Sequence, residues 1–318
     1  MRLLRLVLTL FPLFAVAQGT EPTGPGILEE SVCGSFKEPL AFLLWSSAAG
    51  KPNPEAARRV PNAEPITHKT KDGRLLRGYK LKSTAADGIV RGSVLVAQGN
   101  AMLADQLLSS LNGLSTAGIE TLVFDYRGYG NSEGQRRLKA MVSDYTELYE
   151  SMSAATKGSR LLYGISFGGV VLLNVVGSGV SFERAVIDST PSRVSHLGCP
   201  EKYDPVANFP QDGSRFLLVA GGRDKVVSPK DTQELIDLAK ARGGRTEVQP
   251  DYAHPFMDSD IGVHQRRLEL IKSFLVETAS QGASDARSVL GAPDGARAGL
   301  PARLPAPPRG GVRRALSD

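Results

Sequence analysis

Three side chains in this 318-residue sequence have the types and the spacing that nucleophilic acyl chemistry requires. Ser166 lies in Gly164-Ile165-Ser166-Phe167-Gly168, after an apolar strand-like run and before a small-then-apolar helical pattern. A serine held on a sharp strand-to-helix turn exposes its hydroxyl. Glycines on either side let neighbouring backbone pass without a Cβ clash. A serine hydroxyl is a weak nucleophile at neutral pH, so it needs a base to take its proton, and that base needs an orienting carboxylate. His254, at the end of Val248-Gln249-Pro250-Asp251-Tyr252-Ala253-His254, supplies the imidazole. Asp224, directly after the apolar run 216–220 and Gly221-Gly222-Arg223, supplies the carboxylate.

Such groups work only if strand ends bring them together. Strand-like runs are expected at 66–70 and 75–81, joined by an Asp72-Gly73 hairpin turn, then at 93–97, 121–125, 184–188, 216–220 and 245–249. Helical patterns occupy about 104–116, 138–155 and 265–276. Strands alternating with helices predict βαβ units, and so a three-layer α/β/α sandwich around a mostly parallel sheet, with the hairpin antiparallel at one edge. In such a sheet the loops at the carboxyl ends of the strands face the ligand crevice. Ser166, Asp224 and His254 each follow a strand, in the order Ser–Asp–His expected of a nucleophile-elbow enzyme.

With these motifs in hand, the chain resembles the α/β-hydrolase-fold serine hydrolases over roughly residues 66–278. The Gly-Gly-Arg-Asp-Lys-Val-Val-Ser-Pro run and the late Ala-His-Pro-Phe are similar to that family's acid and histidine turns. Phe124-Asp125-Tyr126-Arg127-Gly128-Tyr129-Gly130-Asn131-Ser132 matches another recurrent segment. Gly99-Asn100-Ala101 resembles the compact subgroup related to serine aminopeptidases, lysophospholipases and depalmitoylases. The resemblance implies Ser166 as nucleophile, His254 as base, Asp224 as acid, and an oxyanion hole from the backbone N–H groups of Asn100 and Phe167. Gln98 departs from the pattern, since the subgroup usually has histidine there, and local hydrogen bonding is expected to differ. Asp188 is the rival acid, because in some relatives the acid sits one strand earlier. His68, His196 and His264 read as structural or surface residues, Asp125 as a turn organiser, and Phe256 and Met257 as packing. The stretch of some 27 residues between Asp188 and Phe216, where this fold usually carries its lid, is too short and proline-rich for a large cap domain, so an open site is expected.

Four segments emerge: a leader over 1–17, an N-terminal arm over 18–65, the α/β-hydrolase domain over 66–280, and an irregular Pro/Arg-rich tail over 281–318. Arg2 and Arg5, the apolar run 6–14 and Ala15-Val16-Ala17 have the form of an export signal, its apolar core too short to span a bilayer. Export would place Cys33 and Cys199 in an oxidising compartment, where a disulfide and two free thiols both remain open. In the arm, residues 40–45 form an apolar patch expected as a short helix lying on the body. The formal net charge of +5 sits mainly in the leader and the tail, leaving a near-neutral body and little support for nucleic-acid binding. The absence of Gly-x-Gly-x-x-Gly at the first parallel βα unit argues against a dinucleotide-binding protein. The expectation is therefore an exported hydrolase acting on a small-molecule or acylated ester or thioester, with no cofactor and no metal. Amide or peptide cleavage and a non-catalytic binding scaffold are the alternatives.

Overall fold

The computed structural model describes residues 25–290; the expected leader and residues 291–318 of the expected tail lie outside the described residues. Three helices come first: α1 (Pro25–Leu28), α2 (Lys37–Ala48) and α3 (Pro54–Arg58). A regular alternation follows: β1 (Ala63–Lys69), β2 (Leu75–Leu81), β3 (Gly92–Ala97), α4 (Leu108–Thr116), β4 (Ile119–Phe124), α5 (Leu138–Ala155), β5 (Ser159–Ile165) and α6 (Phe167–Gly177). The chain continues through β6 (Arg184–Asp188), α7 (Pro205–Asn208), β7 (Phe216–Gly221), α8 (Pro229–Ala241), β8 (Arg245–Gln249) and α9 (Ile261–Leu290).

The eight strands form one sheet in the order β1-β2-β4-β3-β5-β6-β7-β8. β1 and β2 pair antiparallel around the Asp72-Gly73 turn, with Gly73 at φ 90°, and β2 joins β4 antiparallel. All pairings from β4 to β8 are parallel. β3 and β7 are buried along their whole length, as their unbroken apolar runs require of strands covered on both faces. Alternate residues feed two cores. Leu95, Leu162 and Leu218 meet Met141 and Tyr145 of α5, Val171 of α6 and Leu235 of α8 on one face. Val94, Leu161, Tyr163 and Val219 meet Leu111 of α4 and Ile271 and Leu275 of α9 on the other. The result is the three-layer sandwich expected, with no large cap domain among the described residues.

Some elements depart from expectation. The helix expected from Ala104 begins as a separate 3₁₀ turn, Ala104–Gln106, before α4. α8 was not foreseen, although Ser228 and Asp231 form a capping box around Pro229, a recognisable helix start. α9 runs to Leu290 and so takes in residues 281–290, which were expected to belong to the irregular tail. Cys33 and Cys199 are bonded to each other, answering the question left open by their number and spacing.

Candidate active site

β5 delivers the chain into the turn at Ser166, which has φ 54° and ψ −116°, a region that side chains other than glycine rarely occupy. The surroundings hold it there. The Ser166 N–H donates to the Asp188 carbonyl at 2.7 Å, and its own carbonyl accepts from Thr190 Oγ1 at 2.9 Å and the Gly169 N–H at 3.0 Å. The flanking glycines are sterically required. A Cβ at Gly164 would fall 2.6 Å from the Gly169 Cα, and one at Gly168 1.9 Å from the Ala97 carbonyl oxygen. Phe167 is the first residue of α6, where an amide has no carbonyl a turn earlier to bond and faces outward from the helix N-terminus.

Asp224 and His254 come together as expected. His254 Nδ1 and Asp224 Oδ2 are 2.8 Å apart. The other Asp224 oxygen accepts the N–H groups of Val226 (2.8 Å) and Val227 (2.9 Å). Burial alone would push the Asp224 carboxyl up, but the bond to His254 and the two amides more than offset it, leaving it below its ordinary value. The two turns are stitched by backbone, Arg223 N–H to the Tyr252 carbonyl at 2.9 Å and Gly222 N–H to the Gln249 carbonyl at 2.8 Å. Asp188, the rival acid, makes no bond to His254. It is wholly buried and faces Arg267 Nε at 3.7 Å, and burial pushes its carboxyl up against the partial relief of the Arg267 and His254 charges.

Arg267 is the residue of this region that sequence reasoning missed. Buried in α9, its guanidinium donates to the Ala253 carbonyl at 2.8 Å, pairs with Asp258 at 3.2 Å and stacks 4.3 Å over the Tyr252 ring. Asp258 in turn accepts the Ala253 N–H at 2.7 Å. One arginine thus fixes the residue that precedes His254. Its signal was its register: Val263, Arg267, Ile271 and Leu275 share the buried face of α9 at four-residue spacing, and a charge there calls for a partner.

On the β3 side, a Cβ at Gly99 would lie 3.9 Å from that of Ser166, and Asn100 lines the same cavity as Ser166 and Phe167. Gln98 is fully buried, with its carbonyl accepting from Tyr126 Oη (2.6 Å) and its side-chain oxygen from Tyr145 Oη (3.1 Å). The remaining residues take other places. His68 stacks edge-on against Phe124, and His264 contacts Ser110 Oγ and the Phe256 ring, leaving Phe256 packed away from the cavity. Asp125 accepts the Ala104 N–H at 2.8 Å, and His196 lines the cavity wall. Among the described residues no group of three or more His, Cys, Asp or Glu side chains is placed to hold a metal ion, and no helix is long and apolar enough to cross a membrane.

A mostly parallel, doubly covered sheet with a serine on a strained strand-to-helix turn, and an Asp–His pair past the ends of β7 and β8, defines the α/β-hydrolase fold, and the chain has that fold. Residues 88–200 match the sequence model described as serine aminopeptidase, S33. The uncharacterized protein Rv2307c of Mycobacterium tuberculosis is 28% identical over 260 residues, covering 76% of this chain and 88% of that protein. Among solved structures, the Pyrococcus furiosus esterase Pf2001 superposes with a TM-score of 0.57 at 16% identity, over 73% of this chain and 98% of its own. A soluble variant of the Saccharomyces cerevisiae monoglyceride lipase superposes with a TM-score of 0.53 at 14% identity, over 66% and 94%.

Proposed function

We propose that the protein is a serine hydrolase that cleaves a carboxylic ester or thioester through an acyl-serine intermediate, with Ser166, His254 and Asp224 as its triad. The observation that carries this reading is the 2.8 Å His254–Asp224 contact past the ends of β7 and β8, in the same parallel sheet whose β5 ends in a serine held at φ 54°. Ser166 Oγ attacks the carbonyl carbon while His254 Nε2 takes its proton. Asp224 holds the Nδ1–H tautomer and stabilises the cation. The tetrahedral oxyanion is received by the N–H groups of Phe167 and Asn100, each such donor being worth about 2.7–4 kcal/mol in the transition state. His254 returns the proton to the departing alcohol or thiol. A water molecule then repeats the sequence on the acyl-serine, releasing the acid and restoring Ser166.

Fold neighbours named as an esterase and a monoglyceride lipase support ester chemistry first. The serine aminopeptidase family model favours amide or peptide cleavage by the same triad as the second reading. The Cys33–Cys199 bond supports an exported location, where disulfides persist. The deciding experiment is turnover of matched nitrophenyl esters and nitroanilides, with fluorophosphonate labelling, for the wild type beside Ser166→Ala. Ester turnover and labelling that both vanish in the variant are expected. A wild type that neither turns over nor takes the label would replace this reading with that of a binding scaffold.

A further inference from the structure

The expected open site is bordered on one side by the N-terminal arm. A cavity of about 830 Å³ lies beside Ser166, and one of its walls is the arm: Ala41, Phe42 and Trp45 of α2 face it together with Phe167, Val170 and Val194. Its volume stands near the top of the range of about 300–1,000 Å³ for small-molecule sites and far exceeds what an acetyl group fills. The Phe42 ring lies edge-on to Phe167 at 5.4 Å and to Trp45 at 5.3 Å, so the arm packs directly on the residue that follows the nucleophile. The acids on the cavity wall are already engaged: Glu38 by the N–H groups of Cys33 and Leu138, Asp231 by Ser228, and Glu234 by Arg193.

α2 is also anchored like a fixed wall rather than a linker. Cys33, four residues before it, is bonded to Cys199 on the segment after β6. In its first turn, buried Glu38 accepts the Leu138 N–H at 2.8 Å, at the start of α5. Just past its last turn, the Ala49 carbonyl accepts from Gln106 Nε2 at 2.9 Å. Three anchors, on the segments that follow β6, β4 and β3, hold one helix against Phe167, the residue after Ser166.

We infer that α2 is the acyl-chain wall of the active site, and that the substrate carries a medium-to-long, unbranched apolar acyl chain lying along Ala41, Phe42 and Trp45. A flexible alkyl chain needs apolar walls, which the Ala41 methyl, the Phe42 ring and the hydrocarbon face of the Trp45 indole offer. The inference rests on the ester reading of Ser166 for its chemistry, while the binding of the chain is independent of that reading.

Trp45 is the sole tryptophan in the sequence, so intrinsic emission reports on this wall alone. The test titrates the full-length Ser166→Ala protein with acetate and with decanoate below its micelle-forming concentration. Decanoate is expected to shift Trp45 emission to the blue and to saturate, and acetate to leave it unmoved. Ala41→Phe, which puts a ring on the wall, should raise the decanoate needed by about tenfold, the worth of two buried methylenes. With Ser166 intact, the same substitution should lower the ratio of kcat/KM for nitrophenyl decanoate over nitrophenyl acetate by about the same factor. Leu44→Ser, on the exposed outer face of α2, should leave that ratio at its wild-type value. Emission unmoved by decanoate, or a ratio identical in Ala41→Phe and wild type, overturns the assignment however fast the esters are cleaved. Saturable decanoate binding without ester turnover supports the wall and counts against the hydrolase reading instead.

Discussion

The two sides of the candidate site are built on different principles. The Asp224 and His254 turns are held by backbone hydrogen bonds between adjacent parallel strands, with Arg267 bridging from α9. The α2 side is held by a disulfide, an aromatic cluster and one buried glutamate, all reaching far along the chain. The first kind of support follows from the sheet, since any chain that forms these strands places these turns together. The second is grafted onto the sheet through contacts that no strand pairing requires. On the reading proposed above, the contrast separates the reaction, carried by strand ends, from the choice of substrate, set by a segment remote in the chain.

That separation fails if damage to the triad side alters substrate preference more than rate. Ser166→Ala is expected to cost on the order of 10⁴-fold or more in turnover, on short and long esters alike, with an unchanged melting temperature. A loss confined to one chain length would mean that Ser166 is not the nucleophile. Asp224→Asn leaves the geometry near intact but lets His254 adopt the wrong tautomer, which should cost about 10³–10⁴-fold in kcat. Asp188→Asn should spare turnover far more and appear instead as lowered thermal stability, because Arg267 would lose one of its two buried carboxylates. Reversal of that order would move the catalytic acid to β6.

The legibility of the molecule follows the same division. Ser166 and Asp224 could be read because each follows an apolar run that can only be a buried strand, and His254 because it follows the more polar edge strand β8; the glycines beside Ser166 are required by contacts as close as 1.9 Å. The hairpin, the parallel order and the bounds of α5 and β6 follow from local periodicity. Arg267 was hidden because one charged residue in an amphipathic helix looks like a surface residue until its register is counted. α2 was expected as a short helix on the body and is one, but its place beside Ser166 was hidden for a deeper reason. Leu40, Leu43 and Leu44 are exposed while Phe42 is buried, so the helix is apolar on both faces and its pattern does not say which one packs. Nor could the partner of Cys33, 166 residues away, be chosen from spacing.

The disulfide is the sharpest instrument for separating the two sides. Replacing Cys33 and Cys199 together by serine frees a loop of 166 residues and should cost about 2–5 kcal/mol in denaturant-derived stability. The Asp224–His254 contact does not involve the arm, so fluorophosphonate labelling of Ser166 at a temperature where the variant is folded should persist. Complete loss of labelling in folded protein would show that α2 supports the triad itself, and the division drawn above would collapse.

Asp125 stands where the two sides meet, and it gives the smallest and most specific test. It ends β4, accepts the Ala104 N–H, and is pushed up to about 6 by burial, the nearby Asp105 charge adding to the effect. Asp105 in turn accepts the Asn53 N–H at the start of α3, which joins the arm to the sheet. In the unfolded chain an aspartate titrates near its ordinary value of 3.8. Between that value and about 6 the folded protein keeps a proton that the unfolded chain has released, so stability falls as pH rises through this window. Asparagine can still accept from Ala104 but cannot ionise. Asp125→Asn should therefore match the wild type at pH near 4 and exceed it at pH near 8, by at most about 3 kcal/mol. Urea midpoints at the two pH values measure this directly. An equal change at both would mean that Asp125 titrates in the folded protein as it does in the unfolded chain, and that the junction between arm and sheet carries no electrostatic strain.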